Sequence, residues 1–189
     1  MDGNPLTYSW SLTSAPAGSF AVLSDATAIG PSFVVDLPGT YSLTAYSVEE
    51  LVARDYLVNE RPDVVVNIVD ASNLERNLYL SCQFLELGVP LVIALNMIDV
   101  AEKRGIRIDT EKLGQLTGVP VIPLIARNGK GVPELLRTVR AVSQADPSPR
   151  TLIRYGADID EAIRDLVPII EEHKLLTETY PASWTALKV

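Results

Sequence analysis

The sequence predicts an α/β protein, with a parallel sheet flanked by helices, a β-rich N-terminal segment and a C-terminal helical appendage. From Val48 onward, apolar runs alternate with amphipathic helical patterns, which is typical of a parallel sheet covered by helices. Up to about Asp36, short strand-like pieces alternate with turn-like stretches, and Lys and Arg are absent. After the Pro-containing link "DPSPR", one more amphipathic stretch follows.

The sheet is predicted from three apolar runs. They are "PDVVVNIVDA" at 62–71, "VPLVIALNM" at 89–97 and "VPVIPLIA" at 119–126. Each is nearly continuous, as expected of strands that are buried on both faces.

Helical patterns separate these strands. The stretches are "SVEELVARDYLVN", "NLERNLYLSCQFLELG", "DTEKLGQLTG" and, from near Val132, "ELLRTVRAVS". Ser47 with Glu50 three residues later predicts a capping box, and Gly88 stands where a helix C-terminal glycine belongs. Cys82 lies in an apolar helical pattern and is predicted to be a small core residue.

The C-terminal stretch "DIDEAIRDLVPIIEEHKLL" predicts an amphipathic helix, which Pro168 should break or kink. His173, the only histidine, is predicted to be a surface residue with no metal or catalytic role. Apolar residues lie near one face of this helix: Ile159, Ile163, Leu166, Ile170 and Leu175. Unless Ile163, Leu166 and Ile170 fold back on the α/β part, their exposure predicts self-association.

Composition narrows the class of partner. The 189 residues are 47% hydrophobic, enough for one globular domain with or without an appendage. A net charge of −8 argues against a nucleic-acid or anionic-membrane partner.

A single Cys excludes an internal disulfide framework. No signal peptide is visible and no apolar run is long enough to span a bilayer, which predicts a cytoplasmic location.

Three loops at predicted strand ends carry polar residues. They are Asp36-Leu37-Pro38-Gly39, Asn96-Met97-Ile98-Asp99 and Ile125-Ala126-Arg127. Ligands of open parallel sheets bind beyond the carboxyl ends of the strands. The Asp99 carboxylate can accept two hydrogen bonds from the N1 and N2 edge of guanine, and Asn96 can bridge neighbouring loops.

From about Val35 to Val189 the chain resembles the cytosolic portion of the FeoB ferrous-iron transporters, whose G domain is a P-loop GTPase. The resemblance is carried by "VVDLPGTYSLTAYSVEELVARDYL", "VVNIVDASNLERNLYL", "ELGVPLVIALNMIDVAEKRGIRID" and "GVPVIPLIARNGKGVPEL". It implies a Mg²⁺- and γ-phosphate-sensing loop at Asp36 and Gly39. It also implies a guanine-nucleotide site that includes Asn96, Met97, Asp99, Ala126 and Arg127.

The N-terminal residues resemble a different family. "PLTYSWSL", "PAGS" and "PSFVVDLPGTYSLT" are similar to the second half of a PKD-type, immunoglobulin-like β-domain. The predicted organisation is therefore a PKD-like segment at 1–35, a FeoB-like G domain at 36–148 and a truncated helical domain at 149–189. We expect "SFAVL" to form a hairpin with "PSFVVDL". The resemblance to P-loop GTPases implies a further strand between the one that ends at Asp36 and the one that ends near Asp70, and we expect "PLTYSWSL" to fill that gap or to pair nearby.

The phosphate-binding motif of a P-loop GTPase, Gly-x-x-x-x-Gly-Lys-Ser/Thr, does not occur in the sequence. "NGKGV" at 128–132 contains Gly-Lys but follows the last strand instead of the first. The P-loop GTPase-like sheet is accordingly expected to be incomplete. GTP or GDP should bind at most very weakly, beside an incomplete Mg²⁺ site and with no other cofactor.

Three hypotheses follow for function. The favoured one is a chimeric, degenerate G domain that is not an active GTPase and that serves as an interaction or scaffold module or has no selected function. The second is a working GTP-binding protein or GTPase of iron uptake. The third is a PKD-like binding module that the α/β part merely supports.

Overall fold

The computed structural model describes residues 20–23, 33–36, 40, 42–43, 47–145 and 153–189. The chain divides into two compact units, Met1–Tyr56 and Leu57–Val189.

The first unit contains a two-stranded antiparallel pair. Strand β1 (Phe20–Leu23) pairs with β2 (Phe33–Asp36), with Phe20 opposite Asp36. This confirms the predicted pairing of "SFAVL" with "PSFVVDL", whereas the prediction for "PLTYSWSL" concerns residues outside the described ones. Helix α1 (Val48–Glu60) begins in this unit, after Ser47, whose Oγ accepts a hydrogen bond from the Glu50 amide at 3.2 Å. The serine therefore caps the helix as predicted.

The second unit contains a parallel sheet in the order β3 (Val65–Asp70), β4 (Leu91–Asn96), β5 (Val121–Pro123). The central strand β4 is fully buried from Leu91 to Leu95. Asp70 pairs in register with Asn96, so these two strands end together at the carboxyl edge of the sheet. The predicted parallel α/β fold is confirmed.

Strand β3 differs from the expectation that both faces are buried. Asn67 and Val69 are buried, but Val66 is 38% exposed and Ile68 is 67% exposed. Within the described residues β3 is an edge strand of its sheet, so one of its faces receives less cover than the central strand does. The buried amide of Asn67 donates to the Ser81 hydroxyl at 2.8 Å, which satisfies both polar groups.

Helices follow each strand of this sheet. Three of them were predicted: α2 (Leu74–Leu87), α4 (Thr110–Thr117) and α5 (Val132–Gln144). The short helix α3 (Ile98–Lys103) was not predicted. Gly88 ends α2 in the left-handed conformation at φ 67°, as its position in the sequence predicts.

The prediction that Cys82 is a core residue is wrong, because its side chain is exposed. Helix α2 buries Leu80, Ser81 and Phe84 instead. Cys82 is two positions after Leu80, which places it about 200° away around the helix. Desolvation by neighbouring side chains and the charge of Glu86 raise the pKa of the thiol, so Cys82 is not an activated thiolate.

The C-terminal segment forms two helices, α6 (Ala157–Glu172) and α7 (Ala182–Lys188). Helix α6 continues through Pro168, so the predicted break is absent. Pro168 and Arg164 are both exposed, and water can therefore satisfy the Arg164 carbonyl that loses its amide partner. His173 is exposed at the end of α6, as predicted.

The apolar face of α6 packs against α7. Buried Ile170, Ala182 and Ala186 form a small core, and partly buried side chains complete it: Ile163, Leu166 and Val167. Much of the surface that suggested self-association is thus covered within the chain, and self-association remains a prediction. Within the described ranges, no helix is both long and apolar enough to cross a bilayer.

One carboxylate links the C-terminal helices to α2. Glu86 accepts a hydrogen bond from the Tyr155 hydroxyl at 2.6 Å and pairs with Lys188 at 3.2 Å. The Glu86 side chain is only 12% exposed. Burial and the bond to Glu86 raise the pKa of the Tyr155 hydroxyl above its ordinary value, which keeps it protonated and able to donate.

We expect Glu86→Ala to lower the free energy of unfolding by about 1.5–3 kcal/mol, the range for a hydrogen bond to a charged group. The exposed Lys188 contributes little beyond this. Urea unfolding followed by circular dichroism measures the loss. Glu75→Ala, which removes an exposed carboxylate from the same helix, is the control. An equal loss in both variants would contradict the assigned role of Glu86.

Candidate functional site

Two predicted loops meet at the carboxyl edge of the sheet. The Ala126 amide donates to Oδ1 of Asn96 at 3.0 Å, and this bond ties the loop after β4 to the loop after β5. The bridging role predicted for Asn96 is thereby confirmed. Because the bond fixes the Ala126 backbone beside β4, it sets the position of both loops.

Asp99 is positioned by an unusual turn. Met97 adopts the left-handed conformation, with φ 61° and ψ 31°, and its carbonyl accepts the Val100 and Ala101 amides. A non-glycine residue in this region is uncommon. The turn starts α3 immediately after β4 and places Asp99 in the first helical turn, near Asn96 in sequence and in space.

The Asp99 carboxylate pairs with Arg127. Its Oδ2 lies 2.7 Å from a terminal nitrogen of the guanidinium, and the side chains are 16% exposed for Asp99 and 71% exposed for Arg127. Both residues were predicted for this site, but the ion pair between them was not. The carboxylate that was expected to face a guanine edge therefore already has N–H donors.

The loop that carries Ala126 and Arg127 is closed by its own backbone. The Ile125 amide donates to the Lys130 carbonyl at 2.9 Å, and the Lys130 amide donates to the Asn128 side chain at 3.1 Å. Residues Ala126–Asn128 form one turn of 3₁₀ helix. The loop consequently presents Arg127 from a well-defined backbone.

Asp70 lies at the carboxyl edge of the sheet but was not among the predicted site residues. Its carboxylate accepts the Ser72 amide and the Asn73 side chain, both at 2.8 Å. Burial alone would raise the pKa of Asp70, but the hydrogen bonds from Asn73 and Ser72 outweigh it and hold the pKa below its usual value. Asp70 is thus a local cap, recognisable from the Asp-x-Ser-Asn pattern at the end of a strand.

The remaining predicted site residues lie in the first unit. Asp36 is the last residue of β2, and Gly39 lies outside the described residues. In the described part of the chain, no group of three or more His, Cys, Asp or Glu side chains is arranged to hold a metal ion.

A cleft of about 730 Å³ lies at the opposite, amino-terminal edge of the sheet. The segments that lead into the three strands line it, together with residues 177 and 179–181 of the C-terminal segment. Arg61 reaches across one side and donates to the Glu178 carbonyl at 3.1 Å. None of Asn96, Asp99, Ala126 and Arg127 lines this cleft, so it is separate from the predicted site.

The chain is similar in sequence to proteins of one known family. The family profile "Ferrous iron transport protein B" matches residues 25–139. An iron transport protein A/FeoB fusion protein of Porphyromonas gingivalis is 45% identical over 159 residues, which are 82% of this chain and 19% of that protein. FeoB of Staphylococcus aureus is 38% identical over 201 aligned positions, covering 98% of this chain and 29% of that protein. The chain thus spans less than a third of the length of these relatives.

A solved structure has the same fold. The cytosolic domain of T. maritima FeoB, in a form described as GDP form II, is 30% identical with a TM-score of 0.78. The match covers 96% of this chain and 70% of that chain. Because the family profile covers more than half of the residues, the chain belongs to the FeoB N-terminal G-domain family, which is related to ferrous iron transport.

Proposed function

We propose that this chain is a FeoB-type G domain that recognises guanine weakly and does not hydrolyse GTP. In this proposal it acts as an interaction or scaffold module or has no selected function. The observation that carries the proposal is the 3.0 Å bond between Asn96 and Ala126, which joins the two loops expected to recognise the base and so supports a base-recognition half of a site. The motif that would build the phosphate half is absent from residues 1–189.

The expected affinity follows from the contacts that remain. Two or three hydrogen bonds to guanine contribute roughly 0.5–3 kcal/mol each, and a total of about 4 kcal/mol corresponds to a dissociation constant near 1 mM. A nucleotide also brings several negative charges to a chain of net charge −8. Hydrolysis needs a positioned phosphate and metal, for which the sequence supplies no recognised ligand set.

A second candidate function is GTP binding or GTPase activity associated with ferrous iron transport. It is favoured by the way Asn96, Asp99 and Ala126 come together at the carboxyl edge. The similarity to a FeoB cytosolic domain described in a GDP form also supports it. This candidate requires phosphate contacts from residues that the sequence does not identify.

The proposed PKD-like origin of residues 1–35 belongs to the same chimeric hypothesis. The family profile begins at residue 25, inside that segment, and the S. aureus alignment covers 98% of the chain. Both families therefore remain candidates for the segment.

A nucleotide titration tests the proposal. We expect GDP and a non-hydrolysable GTP analogue, with Mg²⁺ and K⁺, to bind with dissociation constants of about 1 mM or weaker. Phosphate release from GTP should equal the buffer rate. Calorimetry and a phosphate-release assay provide the measurements. Micromolar affinity that Asp99→Ala abolishes, and that Glu102→Ala on the same helix leaves intact, would instead establish the second candidate.

A further inference from the structure

Arg127 already offers Asp99 the kind of contact that a guanine base would offer. A guanidinium carries planar N–H donors, and the N1 and N2 edge of guanine does the same. The observed separation of 2.7 Å between the guanidinium and carboxylate atoms is that of a charge-assisted hydrogen bond. The Arg127–Asp99 ion pair therefore occupies the carboxylate that a guanine base needs as its hydrogen-bond acceptor.

The two partners differ in their freedom to move. Asp99 is held in the first turn of α3 and is 16% exposed, whereas the Arg127 side chain is 71% exposed. The 3₁₀ turn of Ala126–Asn128 fixes the Arg127 backbone. Separation of the pair consequently requires rotation of the arginine side chain only, with both loops left in place.

We propose that Arg127 is an internal competitor of guanine for the Asp99 carboxylate. This inference rests on the proposed function, because it concerns the same weak base-recognition site. When the pair is closed, a base meets an occupied acceptor, so the ion pair lowers guanine affinity. Adenine has no N–H donors at N1 and C2, and its binding should therefore be insensitive to Arg127.

Arg127→Ala should strengthen GMP and GDP binding by about two- to fivefold, the range expected when an exposed ion pair no longer competes. Binding of AMP and ADP should not change. Arg127→Lys keeps a cation that can pair with Asp99 and should remain close to wild type. NMR titration at up to tens of millimolar nucleotide gives the dissociation constants.

Lys103→Ala is the matched control, because it removes one positive charge from the exposed end of α3. The competition is refuted if Arg127→Ala binds guanine nucleotides no more tightly than wild type, or if it shows no detectable binding. It is also refuted if Lys103→Ala changes guanine binding to the same extent. In each of these cases the proposed function stands. Micromolar GDP binding by the wild type would refute the proposed function instead. The ratio of the guanine-nucleotide dissociation constants of wild type and Arg127→Ala would still decide the role of Arg127. A thermal melt confirms that each variant is folded.

Discussion

Replacing Gly131 with alanine is expected to be strongly destabilising and to displace the loop that holds Arg127. Gly131 adopts φ 85°, where a side chain costs about 1–2 kcal/mol. A Cβ there would also collide with the Pro123 carbonyl oxygen and lie 2.9 Å from the Leu124 Cβ. Because those atoms belong to the end of β5 and the residue after it, relief of the clash costs about 1–3 kcal/mol more.

Gly129→Ala separates the two contributions. Gly129 has nearly the same φ, 77°, but a Cβ there would meet nothing within 4 Å. In urea unfolding, Gly129→Ala should lower the free energy of unfolding only by the conformational cost. Gly131→Ala should lower it by clearly more. NMR shifts of the Ala126 amide should also change only in the Gly131 variant. Equal losses in the two variants would mean that the contact with β5 contributes nothing.

The central strand β4 and its end were predictable because burial on both faces leaves a simple pattern. Five consecutive buried residues in β4 match the apolar run in the sequence, and Asn96 follows them directly. The carboxyl ends of neighbouring parallel strands lie at one edge, which is why a bridge from Asn96 to a neighbouring loop could be inferred. The ion pair could not, because it depends on side-chain directions in two loops that are 28 residues apart.

Other features were not predictable for physical reasons. Helix α3 has six residues, too few to show a helical period, and it begins at a strained turn at Met97. In α2 the buried face includes the polar Ser81 and Gln83, so hydrophobicity alone assigns Cys82 to the wrong side. Helix α6 tolerates Pro168 because the site is exposed, which the sequence pattern does not reveal.

The second large effect is expected from Leu95→Ala, in the middle of the sheet. Leu95 is fully buried, and its carbonyl accepts the Leu124 amide at 2.9 Å. Truncation of a buried leucine removes packing and leaves a cavity, at a cost of about 2–5 kcal/mol. Whole domains are stable by about 5–15 kcal/mol, so this variant should lose a large share of its stability.

The same truncation at the surface provides the control for Leu95→Ala. Leu116 in α4 is 73% exposed, and Leu116→Ala should change the free energy of unfolding by less than about 0.5 kcal/mol. Urea unfolding of both variants measures the difference.

Because Leu95 immediately precedes Asn96, the cavity should also loosen the Asn96–Ala126 bond, seen as faster hydrogen exchange of the Ala126 amide. If Leu95→Ala is no less stable than Leu116→Ala, β4 is not the centre of the core. If stability falls but exchange at Ala126 is unchanged, the site is held by its loops independently of the strand beneath it.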